Sequence, residues 1–165
     1  LGMIRGRTRR DQLDMAKKYG IENPPNAGGG CLLTEPQFGI KAKDLFSHTK
    51  NPTINDIDLL KIGRHFRLDE QTKFIVGRNK DENEMIKAIA LPGDILLEAK
   101  DFVGPVSILR GSNPKKHIKF ASSVTLRYSD APDYEKAIVS VQDNDLVEEI
   151  SSESAEEESY IQFRM

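Results

Sequence analysis

The sequence predicts an α+β fold: a helical N-terminal segment, then a mostly antiparallel sheet with packed helices. Three observations predict it. Apolar residues recur at helical spacing up to Gly63. Beyond Gly63 the period shortens to two, in short runs such as HFRL, KFIV and KAIVSV. Turn signals, among them Pro92-Gly93 and Gly104-Pro105, separate those runs.

In chain order, Thr8 to Tyr19 reads as a short helix, capped by Thr8 and stopped by Gly20. The stretch ENPPNAGGG reads as a loop and a hinge, expected to be mobile from Asn23 to Gly30. Thr34 with Gln37 forms a capping box for a second helix, with Pro36 in its first turn and Phe38, Ala42, Leu45 and Phe46 at helical spacing. Thr53 with Asp56 caps a third helix that ends before Gly63. His65–Leu68 and Lys73–Val76 read as a hairpin. Asn83 to Ala90 reads as a helix, Ile95–Ala99 and Val106–Leu109 as strands, and Pro114 to Tyr128 as the longest helix. Lys136–Val141 and Tyr160–Phe163 are the last expected strands. The domain division that follows is 1–30, 31–62 and 63–165: the tail of an upstream domain with its hinge, a helical linker, and a sheet domain.

At 165 residues, 38% hydrophobic and 30% charged, the chain has the composition of a folded soluble protein. No apolar run reaches the roughly 20 residues of a membrane span. One cysteine excludes an internal disulfide framework. The chain opens on Leu1 within a helix-like stretch and is expected to be a fragment of a longer protein. The net charge of −2 hides an asymmetry. Residues 1–80 carry 15 Lys/Arg against 9 Asp/Glu, and residues 81–165 carry 9 against 17. Eight of those acids fall in residues 143–159, which hold no Lys or Arg. A basic body with an acidic stretch fits a polyanion partner, and equally a solvated surface with a mobile acidic loop.

Cys31 is the one strong nucleophile candidate, between a Gly-rich loop and a helix start that favours the thiolate. Its alternative is a buried structural cysteine between apolar neighbours. Arg64 and Arg67 on one side of the hairpin, and Arg78, Asn79 and Lys80 on the other, form a basic cluster suited to phosphate. Gly63 and Gly77 in that cluster would let backbone approach a ligand closely. Alternation in HFRL favours a core position for Phe66 over stacking on a base. His48, His65 and His117 have no metal-ligand spacing, and no Walker A loop is present, so no metal is expected.

FIVGRNKDENEMI followed by PGDILLEAKDFVGPVSILRG resembles the RNA-binding domain of the NFACT family of ribosome quality-control proteins. Gly77, Arg78, Asn79, Glu82 and Asn83 match the first part of its pattern, and Ala99, Lys100, Asp101 and Gly104 the second. Leu97-Glu98 stand where that family has an aromatic and a His, and Pro105-Val106 where it has Ser-His. The resemblance adds Lys100 to the expected RNA contacts.

Residues 7–46, together with 56–68, resemble the region after the catalytic domain of PP-loop tRNA thiouridylases, of the 4-thiouridine-synthase or 2-thiouridylase type. Arg10, Gln12, Ala16, Gly20, Ile21, Cys31, Phe38 and Phe46 carry it. Together the two resemblances imply the C-terminal part of a cytoplasmic, ATP-dependent tRNA sulfurtransferase. Cys31 would carry a persulfide, tRNA would be the partner, and a sulfur donor protein a possible second one. No cofactor is expected in this chain, and ATP is expected for the parent protein. The alternative is a stand-alone RNA- or ribosome-binding module whose cysteine is structural.

Overall fold

The computed structural model describes residues 10–21, 32 and 35–165. Cys31, the loop 22–30 and the cap at Thr34 lie outside the described residues. The chain divides into two compact units, residues 1–39 and 40–165. In the first, α1 (Arg10–Lys18) closes on Gly20, whose φ of 70° suits a left-handed cap. Gly20 N donates to Lys17 O and Ile21 N to Ala16 O, the paired bonds that satisfy the last carbonyls of a helix. Helix α2 (Pro36–His48) spans the boundary between the units.

In the second unit, α3 (Ile54–Leu60) has the expected capping box: Thr53 Oγ1 accepts from Asp56 N, and the Asp56 carboxylate accepts from Thr53 N. Six strands follow: β1 (Arg64–Arg67), β2 (Thr72–Val76), β3 (Ile95–Ala99), β4 (Ser107–Gly111), β5 (Lys136–Asp143) and β6 (Leu146–Glu153). They form one sheet in the order β1-β2-β4-β3-β5-β6, every neighbouring pair antiparallel. Helix α4 (Lys80–Ile89) joins β2 to β3. A 3-10 turn, Pro114–His117, leads into α5 (Ile118–Arg127), and the short α6 (Glu157–Tyr160) precedes the C-terminus.

The sheet has a core on each face. On one, Phe66, Phe74, Val76, Leu97 and Val139 pack with Ala121, Val124 and Leu126 of α5. On the other, Ile75 and Ile108 pack with Leu59, Ile62 and Ile86 of the α3 and α4 region. Strand β2 is buried at all five positions, the pattern of a strand covered on both sides.

Two expectations are corrected. Residues 143–159 are not a loop: β5 turns at Asn144, whose φ is 53°, and returns as β6. The strand sits at the sheet edge and is mostly exposed, so it needs no apolar face, and its glutamates suit an open edge. Tyr160–Phe163 is not a strand. Tyr160 and Phe163 lie one helical turn apart, and both rings pack. Tyr160 meets Phe66 at 6.0 Å and Tyr128 at 5.8 Å between centroids, and Phe163 meets Phe120 at 5.4 Å.

Candidate nucleic-acid interface

The sequence GRNKDEN links β2 to α4, and each of its polar residues has a local task. Asn79 is the N-cap of α4, with Oδ1 accepting from Glu82 N at 3.0 Å. The Glu82 carboxylate accepts from three sides: the Arg78 guanidinium, Arg78 N at 2.8 Å and Gly63 N at 3.2 Å. Burial would push Glu82 up, but these donors outweigh it and hold the carboxyl below its usual range. Arg78 is correspondingly raised, by its hydrogen bonds to Glu82. Asn83 spans the gap to the next loop, donating to Gly104 O at 3.3 Å and accepting from Val106 N at 3.0 Å.

These contacts give both glycines a structural task. A Cβ at Gly77 would lie 2.2 Å from Asn83 Oδ1. Gly63 has a φ of 75°, and a Cβ there would lie 2.5 Å from Ile75 Cγ2. The protein's own packing is enough to require glycine at both positions.

The segment from Gly77 to Lys80 forms one wall of a cavity of about 410 Å³, whose lining also includes Arg64, Val103 and Tyr128. Arg64 lies with its guanidinium 4.6 Å from the centre of the Tyr128 ring, while Nη1 donates to Gly77 O at 3.3 Å. Those two contacts fix the guanidinium plane. Burial, then a hydrogen bond with Tyr160, pushes the Tyr128 hydroxyl up to about 12, so the ring stays neutral under the cation. Asp130 also lines the cavity, so Arg64, Arg78 and Lys80 outnumber the carboxylates there even with Glu82 counted. Val103, 79% exposed, stands at its rim.

The structure brings together four of the sequence-predicted residues: Arg64, Arg78, Asn79 and Lys80. It separates two. Arg67 points to the other face of the sheet, where Nε and Nη2 bond both oxygens of Asp44. Lys100 pairs with Glu149 at 2.6 Å and is absent from the cavity lining. Tyr128 and Val103 escaped the sequence reading. Tyr128 closes the expected helix from Pro114, and nothing local links it to Arg64.

Each histidine has one ring nitrogen close to an oxygen acceptor of the protein. His48 Nδ1 lies 2.8 Å from Asp44 O, His65 Nε2 2.7 Å from Ile62 O, and His117 Nε2 2.7 Å from Asp69 Oδ2. Among the described residues, no three His, Cys, Asp or Glu side chains are placed to hold a metal. None of the described helices is long and apolar enough to cross a membrane.

No curated protein sequence matches the chain. Among solved structures, it is similar to the C-terminal part of the fibronectin/fibrinogen-binding protein from Streptococcus suis. The two share 14% identity with a TM-score of 0.53, over 94% of this chain and 75% of that one, a likeness of fold alone. The signature from Gly77 to Asn83 and the whole sheet fall within residues 63–164, which match the family described as NFACT protein RNA binding domain, and the chain belongs to that family.

Proposed function

We propose that the chain binds RNA through the cavity between the start of α4 and the loop at Val103–Pro105. Arg64, Arg78 and Lys80 would take backbone phosphates, and the outer face of the Arg64 guanidinium would receive an unpaired base. The observation that carries this reading is the cation cluster around one cavity, inside the matched RNA-binding region. Lys80 is exposed and free of any acidic partner among the described residues, as a phosphate contact requires. Arg64 is held over the Tyr128 ring by that contact and by Gly77 O, which limits its freedom before a base arrives. Phosphate binding releases counterions, so affinity should fall steeply with salt. The test is an anisotropy titration of labelled RNA at two salt concentrations, on the native chain and on Arg64→Glu with Lys80→Glu. Unchanged affinity in the folded double variant would end the proposal.

A narrower reading makes the chain part of a tRNA-thiolating enzyme, with ATP used upstream, Cys31 carrying sulfur and a donor protein reloading it. Its support is the sequence resemblance over residues 7–46 and 56–68, most of which precede the matched family region. The test is thiolation of tRNA by the full-length parent protein. Cys31→Ser should abolish it and leave tRNA binding intact, because serine cannot hold a persulfide.

A further inference from the structure

A second cavity, of about 420 Å³, lies on the opposite face of β1 and β2 from Arg64, beside α2 and α3. His65, Arg67, Lys73 and Arg110 are in its lining. Arg110 is fully engaged, by Asp94, Asp56, Asn55 and Ile89 O. The other three are less fully met: Arg67 and Lys73 share one carboxylate, and His65 keeps one ring nitrogen without a partner. Asp44 is a single carboxylate serving two buried cations, Arg67 and Lys73. Lys73 Nζ lies 3.2 Å from Asp44 Oδ2, yet it completes no hydrogen bond. Only 7% of the residue is exposed.

His65 is 1% exposed. Ile62 O can only accept, so Nε2 carries the proton, and Nδ1 is left as a buried acceptor with no donor. Burial, then the charges of Lys73 and Lys41, hold His65 well below its usual range, so the ring is neutral. Register places these groups side by side. His65 pairs with Ile75 and Arg67 with Lys73, all on one face. The site therefore sets two buried cations against the one carboxylate of Asp44, and leaves His65 Nδ1 without a donor. Unmet polar groups of this kind are uncommon in folded interiors and call for an explanation.

We propose that this cavity binds a phosphomonoester, with ionised oxygens on Lys73 and Arg67 and the remaining P–OH donating to His65 Nδ1. A phosphomonoester ionises for the second time near pH 6, so one proton on the group is readily available. The cavity is larger than a phosphate, leaving room for a moiety of mononucleotide size. Two sources share this chemistry: a free mononucleotide and the terminal phosphate of an RNA. The proposal is independent of the RNA groove, which lies on the other face.

The test uses the whole chain and three probes: inorganic phosphate, uridine monophosphate, and a short RNA with or without a 5′-phosphate. Binding is followed by calorimetry and by the histidine ring ¹⁵N resonances. The expected result is saturable binding of at least one probe, a shift at His65 Nδ1, and at least tenfold weaker binding in Lys73→Met. Lys73→Gln is the second variant if Lys73→Met does not fold. A gain from the 5′-phosphate assigns the site to RNA ends. Binding of uridine monophosphate without that gain assigns it to a free nucleotide. No saturable binding of any probe, or equal affinity in the folded Lys73 variant, would overturn the proposal.

Discussion

Arg64 and Arg67, three residues apart on β1, lie on opposite faces of the sheet: Arg64 stacks on Tyr128 beside α5, and Arg67 bonds Asp44 of α2. Strand geometry requires the separation, since side chains an odd number of positions apart face opposite ways. Sequence proximity groups the two arginines as one basic patch. The fold makes one a candidate contact for RNA and the other part of a buried ion-pair cluster.

Replacing these arginines should therefore have different consequences. For RNA lacking terminal phosphates, Arg64→Glu with Lys80→Glu should weaken binding at least tenfold and reduce the salt slope by about two. Arg67→Glu should leave that slope unchanged and instead lower stability by about 3 kcal/mol, because Asp44 would face a second carboxylate. Parallel salt titrations and thermal melts of the two variants check this.

Asn83 should prove structural. Its side chain bonds Gly104 O and Val106 N, so Asn83→Ala leaves both without that partner and should cost about 2 kcal/mol. Gly77→Ala acts on the same contact from the other side, by pushing a methyl group into Asn83 Oδ1. Denaturant unfolding of each single variant and of the pair checks the coupling. The double variant should cost less than the two single costs combined, because Asn83→Ala removes the atom that the new methyl meets.

The elements legible in the sequence are those fixed locally. Thr53 and Asp56 are three residues apart and form their cap whatever surrounds them. Gly20 closes α1 with bonds to its own last turn. The GRNKDEN signature is also visible in the sequence, but the structural tasks of its residues are not. Asn79 caps and Glu82 ties Gly63 to Arg78, roles that need the β1–β2 pairing to become apparent. Strand β6 was missed because composition signals burial, and an edge strand with solvent on its outer side carries little apolar signal. The contact between Arg64 and Tyr128 joins β1 to the end of α5, and no local pattern encodes it.

Glu82 should make stability depend on pH in the acid range. Its folded carboxyl lies below the ordinary value of 4.5, so its contribution is fully present above that pH and is lost as pH falls through the lower folded value. Glu82→Gln should cost about 2 kcal/mol at pH 7, with the gap from the native chain narrowing below about pH 4.5. Thermal melts from pH 7 down to pH 3 check both statements. A gap that stays constant with pH would mean that hydrogen bonding alone, without the charge, holds Gly63 and Arg78.

Lys73 should work in the opposite direction. Burial lowers its ammonium to about 8, against an ordinary 10.5, despite the Asp44 charge that pulls it up and with Arg67 and Lys41 adding to the depression. Below about pH 8 the folded chain keeps a desolvated charge, while the unfolded chain keeps a hydrated one at no such cost. Between about 8 and 10.5 the unfolded state binds one proton more, so stability should rise with pH across that window. Lys73→Met removes the charge and keeps most of the stem. Asp44 retains Arg67, which bonds both of its oxygens. The variant should therefore be more stable than the native chain at pH 7, by roughly 2–3 kcal/mol, and should lack the alkaline rise. Denaturant melts of both proteins at pH 7, 8.5 and 10 decide the matter. A less stable variant at pH 7 would show that attraction to Asp44 outweighs the burial of Lys73.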